Sequence, residues 1–405
     1  MANRFVFCMG LCTFASMKKV FILFLLLSAA TVSQAQMYSY SANFELSEHN
    51  FCDTIPIVIE NHLIYVEVET EGTRRRYLID TGSGQGMVYD GTDASRYHEL
   101  GNVVSHDANN KKDTVRVVQL PPFRMGRLLF SGYVASVLPR PQTRQRFDAV
   151  IGFDLFNRGL YAKIDTRARQ LILTDRKGVF DEEQGYDVKY KLKWWVPYLY
   201  VSPFTRHVDQ VLFDTGERAI YTMNKQSFDI HAYKSKNVGS QIEERIEGQQ
   251  SIGTLSTEQS GELVFLRLDR LKWGDFSFLD VHAITTQGAS RIGAQILDYG
   301  SIIIDPKRKR LKFQPYNTSD NVVVGNKPLS IAYVPYENRA AVGFIRSEHQ
   351  AFKAGMRQGD IILRINGEEI PTFEAFQRYP FIEGRTYTFV LRDQRGFNKE
   401  VKIEK

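Results

Sequence analysis

Cysteine is nearly absent. The chain of 405 residues holds three, and Cys8 and Cys12 flank the start of a leader-like segment. Beyond that segment Cys52 stands alone, which excludes an intramolecular disulfide framework and a zinc cluster built from thiolates. The eight histidines show no His-Glu-x-x-His or similar ligand spacing, so neither metal nor cofactor is expected. Long apolar runs are missing too. Val20–Leu27 follows Lys18-Lys19 and precedes Ser33-Gln34-Ala35; it is too short to favour a bilayer span and reads as a secretory signal peptide, residues 1–35, cut before Gln36. Met17 offers a second start, which would make residues 1–16 a misassigned extension. A retained membrane anchor is the alternative. The expected location is outside the cytoplasm: periplasmic, on the outer surface or secreted.

Charge of one sign is also lacking. Removing residues 1–35 takes away Arg4, Lys18 and Lys19 and no acid, so the net charge falls from +6 to +3. The basic residues are scattered and do not call for nucleic acid. The one dense cluster, Lys307–Arg310, lies between the strand-like Ile302–Ile304 and Leu311–Phe313 and reads as a hairpin turn. No sustained helical period appears before residue 316; short β-rich segments with turn signals dominate. Stability must come from apolar cores, and about 370 residues can support two or three.

What is present is a duplication. Tyr77-Leu78-Ile79-Asp80-Thr81-Gly82-Ser83 is answered by Val211-Leu212-Phe213-Asp214-Thr215-Gly216-Glu217. Each is an apolar strand running into a carboxylate, with a glycine that lets the chain turn sharply beside it. Downstream, Val150-Ile151-Gly152 is matched by Arg291-Ile292-Gly293, with Gly152 72 residues after Asp80 and Gly293 79 after Asp214. Both copies then close alike, with Tyr161–Asp165 and Leu171–Leu173 in the first, and Ile302–Asp305 and Leu311–Phe313 in the second.

The paired Asp-Thr-Gly stretches resemble the active-site loops of the pepsin and retropepsin superfamily, over about residues 55–316. The resemblance implies two β-barrel-like lobes, residues 36–185 and 186–318, meeting at a cleft with one Asp from each. One chain supplies both, so a monomer suffices. Asp80 and Asp214 would hold a water between them, one carboxyl accepting its proton while the other protonates the peptide carbonyl. Thr81 and Thr215 match hydroxyls that bond across the lobes, and Gly82 and Gly216 leave room beside the carboxylates. Ser83 matches a hydroxyl that donates to the neighbouring carboxylate. Ile151-Gly152 and Ile292-Gly293 match the element that passes through each loop and holds it. Two residues depart from the pattern. Glu217 stands where Ser, Thr or a small residue is usual, and Arg291 occupies an apolar position. If Glu217 faces Asp214, its charge raises the pair's pKa values; if it faces solvent or Arg218, it does not. A flap should cover the cleft, from either Asn102–Thr114 or Lys236–Gly261.

Beyond the polar stretch Asn317–Lys327 the pattern changes. Ala354-Gly355, Gly359-Asp360, Ile362, Ile365 and Asn366-Gly367 form a series that resembles a bacterial-type PDZ domain, residues 326–405, a small α+β unit. The resemblance implies capture of extended protein C-termini by strand addition, with Ala341, Val342, Gly343, Phe344 and Ile345 as the groove strand. The combined expectation is an exported aspartic endopeptidase acting on polypeptides. The alternative is a catalytically silent protein that uses the same cleft and groove to bind peptides.

Overall fold

In Cys52–Glu60, Ile55 and Ile57 turn inward while Thr54, Pro56 and Val58 turn out, an alternation that only an extended strand can satisfy. The same reasoning accounts for most of the chain, and the fold is mainly β, with sheets that curl in a barrel-like manner. The computed structural model describes residues 37–404 other than 92, 110, 140–146, 233, 251, 254 and 328; the expected signal peptide lies outside the described residues. Among these, the longest helix is Lys225–Ala232, and no helix is long and apolar enough to cross a membrane.

The duplication extends to the ladders. The strand leading to Asp80, Thr73–Ile79, runs antiparallel to Leu63–Thr70 and parallel to Ala149–Ile151, with Ile79 opposite Ile151. The strand ending in Asp214, His207–Asp214, runs antiparallel to Val196–Phe204 and parallel to Arg291–Gly293, with Phe213 opposite Ile292. In the first lobe Gly86–Tyr89 lies antiparallel to Ala149–Ile151 and parallel to Val134–Leu138. In the second, Tyr221–Asn224 lies antiparallel to Arg291–Gly293 and parallel to Phe276–Thr286. Each copy then adds an antiparallel hairpin: His98–His106 with Lys112–Gln119, and Ile242–Gly248 with Gly261–Trp273.

Six strands join the lobes, in the order Tyr186–Lys189, Arg310–Pro315, Gly300–Asp305, Tyr161–Asp165, Gln170–Thr174, Cys52–Glu60. At the centre the closing strands of the two copies pair antiparallel, with Lys163 opposite Ile303. The β-branched run Ile302-Ile303-Ile304 is buried throughout, as a strand covered on both faces requires. Lys307–Lys309 forms the turn between Gly300–Asp305 and Arg310–Pro315, and one core continues from Phe44 to Phe313 through both lobes.

The C-terminal unit has its own core, around Val342, Ile362, Phe373 and Phe389. Asn366 and Gly367, both at positive φ, turn the strand Ile361–Ile365 into Glu368–Glu369. This unit is docked on the second lobe rather than merely tethered. Phe344 packs with Leu263, Phe265 and Ile284. Buried Arg346 lies over the Phe265 ring and pairs with Glu244 at 2.8 Å and Glu243 at 3.4 Å. The N–H of Gln249 donates to the Gly343 carbonyl at 3.0 Å. Truncating Phe344 to Ala should therefore cost about 3–5 kcal/mol in chemical unfolding, whereas a loss below about 1 kcal/mol would show that this junction does not persist in solution.

Candidate active site

The two Asp-Thr-Gly loops meet face to face. A Cβ on Gly82 would lie 2.5 Å from Cγ of Asp214, and one on Gly216 would lie 2.7 Å from Cγ of Asp80. Each glycine is thus pressed against the opposite carboxyl, and no larger residue fits. Within each loop the Gly N–H turns back to its own Asp: Gly82 to Asp80 Oδ1 and Gly216 to Asp214 Oδ1, both at 2.9 Å.

The threonines lock the loops reciprocally. The Thr81 hydroxyl donates to the Phe213 carbonyl at 2.8 Å and accepts the Thr215 N–H at 3.0 Å. The Thr215 hydroxyl donates to the Ile79 carbonyl at 2.8 Å and accepts the Thr81 N–H at 3.0 Å. Both threonines are fully buried, so these four bonds have no water to compete with them. The two glycine elements brace the loops from behind. Phe153 N–H donates to Ser83 O and Ala294 N–H to Glu217 O, each at 2.7 Å. A Cβ on Gly152 would lie 2.7 Å from Ser83 O, and one on Gly293 would lie 2.6 Å from Glu217 O.

Burial pushes the Asp80 carboxyl well above the ordinary carboxylate range. The charge of Asp214 and a hydrogen bond between the two carboxyls add to this, while the Gly82 and Ser83 N–H groups oppose it. Behind the first loop, burial pushes Asp154 up to about 7 against the hydrogen bonds from Tyr133 and Gly86. Asp154 takes the Tyr133 hydroxyl at 2.6 Å and the Gly86 N–H at 3.2 Å. Gln295 answers it in the second lobe, taking the Ile220 N–H at 3.2 Å. Tyr89, which the sequence pattern did not single out, lies close enough that the Asp80 charge adds to the burial that pushes its hydroxyl up to about 12. The described residues contain no His/Cys/Asp/Glu cluster able to hold a metal.

Three side chains differ from expectation. The Ser83 hydroxyl donates to the Gln85 carbonyl at 2.6 Å instead of to a carboxylate, because the loop curls tightly enough to present that oxygen first. Glu217 is half-buried and turns to groups other than Arg218. One oxygen takes the Ala219 N–H at 3.1 Å, and the other lies 4.0 Å from Nη1 of Arg291. Arg291 is itself buried, with Nε 3.4 Å from Asp214 Oδ2. Glu217 and Arg291, the two residues that break the likeness to the first copy, therefore meet each other. An arginine at an apolar position two residues before Gly293, together with a carboxylate after Gly216, was the signal that could have revealed the pair.

The two flap candidates play different parts. The first bridges the two copies: the tip of the His98–His106 and Lys112–Gln119 hairpin lands on the second lobe. There Asp107 accepts the Ser256 hydroxyl at 2.7 Å, and the Asn109 amide donates to the Ser256 carbonyl at 3.0 Å. Nη2 of Arg291 donates to the Ala108 carbonyl at 2.6 Å. The second candidate receives it. Beside the hairpin, His106 stacks on the exposed Trp194, and Tyr40 stacks on Trp195.

In the C-terminal unit, Ala341–Ile345 lies in the interior strand Arg339–Ile345, and all five residues are buried. Ile331–Tyr336 pairs along one side, and Ile361 and Asp360 meet the other at Ala341 and Val342. An added peptide would have to displace these partners. The strands at the two ends of the sheet are Ile331–Tyr336 and Asn398–Glu404; the first lies beside the helix Phe373–Arg378, where the rings of Tyr333 and Phe376 are 4.6 Å apart.

No family model matches the sequence, and no curated protein matches it significantly.

Valine at Thr81 would orphan the Phe213 carbonyl and the Thr215 N–H in a dry interior, at a cost of about 1–3 kcal/mol for each unsatisfied group. Thr215→Val should cost a similar amount. The double variant should cost less than the sum, since either change already loosens both loops. Additive losses in chemical unfolding would mean that the four bonds do not act as one lock.

Proposed function

We propose that this chain is an exported aspartic endopeptidase, built from two pepsin- or retropepsin-like lobes and a PDZ-like domain that recruits or positions polypeptide substrate. The observation that carries the reading is the apposition of Asp80 and Asp214, each packed against the other loop's glycine and locked by Thr81 and Thr215. Two carboxyls this close do not both ionise readily, so one proton is shared.

The surroundings divide the labour. Asp80 is the better holder of the proton, because burial and its neighbour's charge both favour its neutral form. Nε of the Arg291 guanidinium lies 3.4 Å from Asp214 Oδ2 and supplies a counter-charge for the pair on that side. In the first step Asp214 takes a proton from the water between the carboxyls, and the water oxygen bonds to the scissile carbonyl carbon. Asp80 gives its proton to the carbonyl oxygen, leaving a neutral gem-diol. On breakdown the ionised Asp80 takes one diol proton while Asp214 gives the proton it took from the water to the departing nitrogen, so the C–N bond breaks into an amine and a carboxylic acid and the pair again shares one proton. In the C-terminal unit, the edge strand Ile331–Tyr336 is the better candidate for peptide addition than Ala341–Ile345, since its outer edge pairs with no other strand among the described residues.

The second reading, a silent peptide-binding cleft, is favoured by one observation. The hairpin tip is pinned to the second lobe through Asp107 and Arg291, which closes the cleft over the pair.

Cleavage of a denatured protein, blocked by a statine-type inhibitor, separates the two readings. Asp80→Asn and Asp214→Asn should each abolish hydrolysis, and the double variant should be little worse than either. Wild-type turnover in either single variant would remove the pair from the mechanism.

Stability should move the other way. A carboxyl whose folded pKa is raised stabilises the fold while it is protonated, and that contribution is lost as pH rises through the raised value. Asparagine cannot ionise. Asp80→Asn should therefore match wild type in acid and become more stable than wild type as pH climbs above the ordinary carboxylate range. Thermal unfolding across pH reads this, and a variant that loses ground with rising pH would contradict the raised value.

A further inference from the structure

Arg291 spends each of its three nitrogens on a different group. Nε faces Asp214 Oδ2 at 3.4 Å, Nη1 faces Glu217 Oε2 at 4.0 Å, and Nη2 donates to the Ala108 carbonyl at 2.6 Å. Its side chain is only 4% exposed, so water offers little substitute for these groups. The corresponding residue of the first lobe, Val150, is apolar and buried among Leu63, Tyr65 and Leu78. Space for the contact is also specific. A Cβ on Gly288 would overlap the Ala108 carbonyl oxygen and lie 3.0 Å from Nη2 of Arg291, so only glycine lets the hairpin tip come down this far.

We propose that Arg291 is a positioning residue that couples the seating of the 98–119 hairpin to the placement of the Asp214 carboxylate. The coupling follows from the geometry of one rigid, planar group. With the hairpin down, the Ala108 carbonyl fixes one end of the guanidinium, and the other end holds Asp214. If the hairpin lifts, Nη2 is left as a buried donor without an acceptor, which is costly for a charged group. The guanidinium then turns toward the remaining acceptors, and its grip on Asp214 changes. Glu217 supplies the second negative charge that lets a cation stay buried there whichever way the hairpin stands. Lysine could not do the same, since one ammonium cannot span three partners set in a plane.

The inference rests on the proposed peptidase reading for its purpose but not for its test, because hairpin motion can be read without turnover. Hydrogen–deuterium exchange of peptides covering residues 98–119 should be roughly tenfold faster in Arg291→Met than in wild type, the scale expected for a lost charged hydrogen bond. Gly288→Ala should have the same effect without altering any charge, and it serves where Arg291→Met fails to fold. The decisive comparison is a cycle with Asp214→Asn. That change should speed hairpin exchange when Arg291 is present and add nothing in Arg291→Met. Asp80→Asn, which does not touch Arg291, should leave the hairpin as it is. An equal effect of Asp214→Asn in both backgrounds, or none in either, would overturn the coupling. If the protein cleaves peptides, Arg291→Lys should lower kcat with little change in KM; a change in KM alone would count against the proposal. Absence of cleavage with an intact exchange cycle would sink the peptidase reading and leave the coupling standing.

Discussion

The reciprocal bonds between Thr81 and Thr215 are the constraint on which the site depends. Asp80 and Asp214 repel each other when both are charged, and nothing in either lobe alone would hold them together. Four buried hydrogen bonds between the loops do so, each hydroxyl giving one bond and taking one. The glycines are a consequence. Once the loops are locked at this spacing, the space beneath each carboxyl belongs to the other loop's backbone, and a Cβ at Gly82 or Gly216 has nowhere to go. The six-stranded sheet joining the lobes carries the same register to the far side, so the two halves cannot slide without breaking both.

Electrostatics then separate two chemically equal groups. The first loop gives Asp80 the Gly82 and Ser83 N–H groups and the facing Asp214 carboxyl, with no cation beside it in the contacts described. The second gives Asp214 a guanidinium, itself balanced by Glu217. A buried cation costs less when it has carboxylates on two sides. That balance gives a physical reason for finding Arg291 and Glu217 in the same lobe: each would be expensive without the other.

Much of this was legible in the chain. The apolar triplets before Asp80 and Asp214, the later glycine elements and the spacing between them pointed to two copies of one β unit, because each signal is local and repeats. The positive-φ pair Asn366-Gly367 announced its hairpin for the same reason. What was not legible depended on contacts distant in sequence. Ser83 was expected to serve a carboxylate, but the curl of its own loop brings the Gln85 carbonyl closer. Glu217 was read against its neighbours, whereas its partner is 74 positions away. Ala341–Ile345 has the composition of a strand, but composition does not say whether a strand lies at the edge or inside. The docking of the C-terminal unit rests on Phe344 and Arg346, which look like ordinary core and surface residues until Phe265 and Glu244 are placed beside them.

A single chain carrying both halves permits what a symmetric dimer does not. In a dimer of identical lobes, an arginine beside one aspartate would stand beside the other as well. Two cations would then favour the charged form of both carboxyls and remove the shared proton that the proposed chemistry needs. Here the duplicated positions have diverged: Val150 is apolar where Arg291 is charged, and Ser83 is neutral where Glu217 is not. The hairpins have diverged in the same sense. One reaches across to the other copy, and the other forms the surface that receives it. The asymmetry of the pair and that of the cover meet in one guanidinium, which touches the carboxylate on one side and the hairpin tip on the other. Duplication within one chain is thus more than a way of bringing two aspartates together, because it frees one lobe to control a group that the other must leave alone.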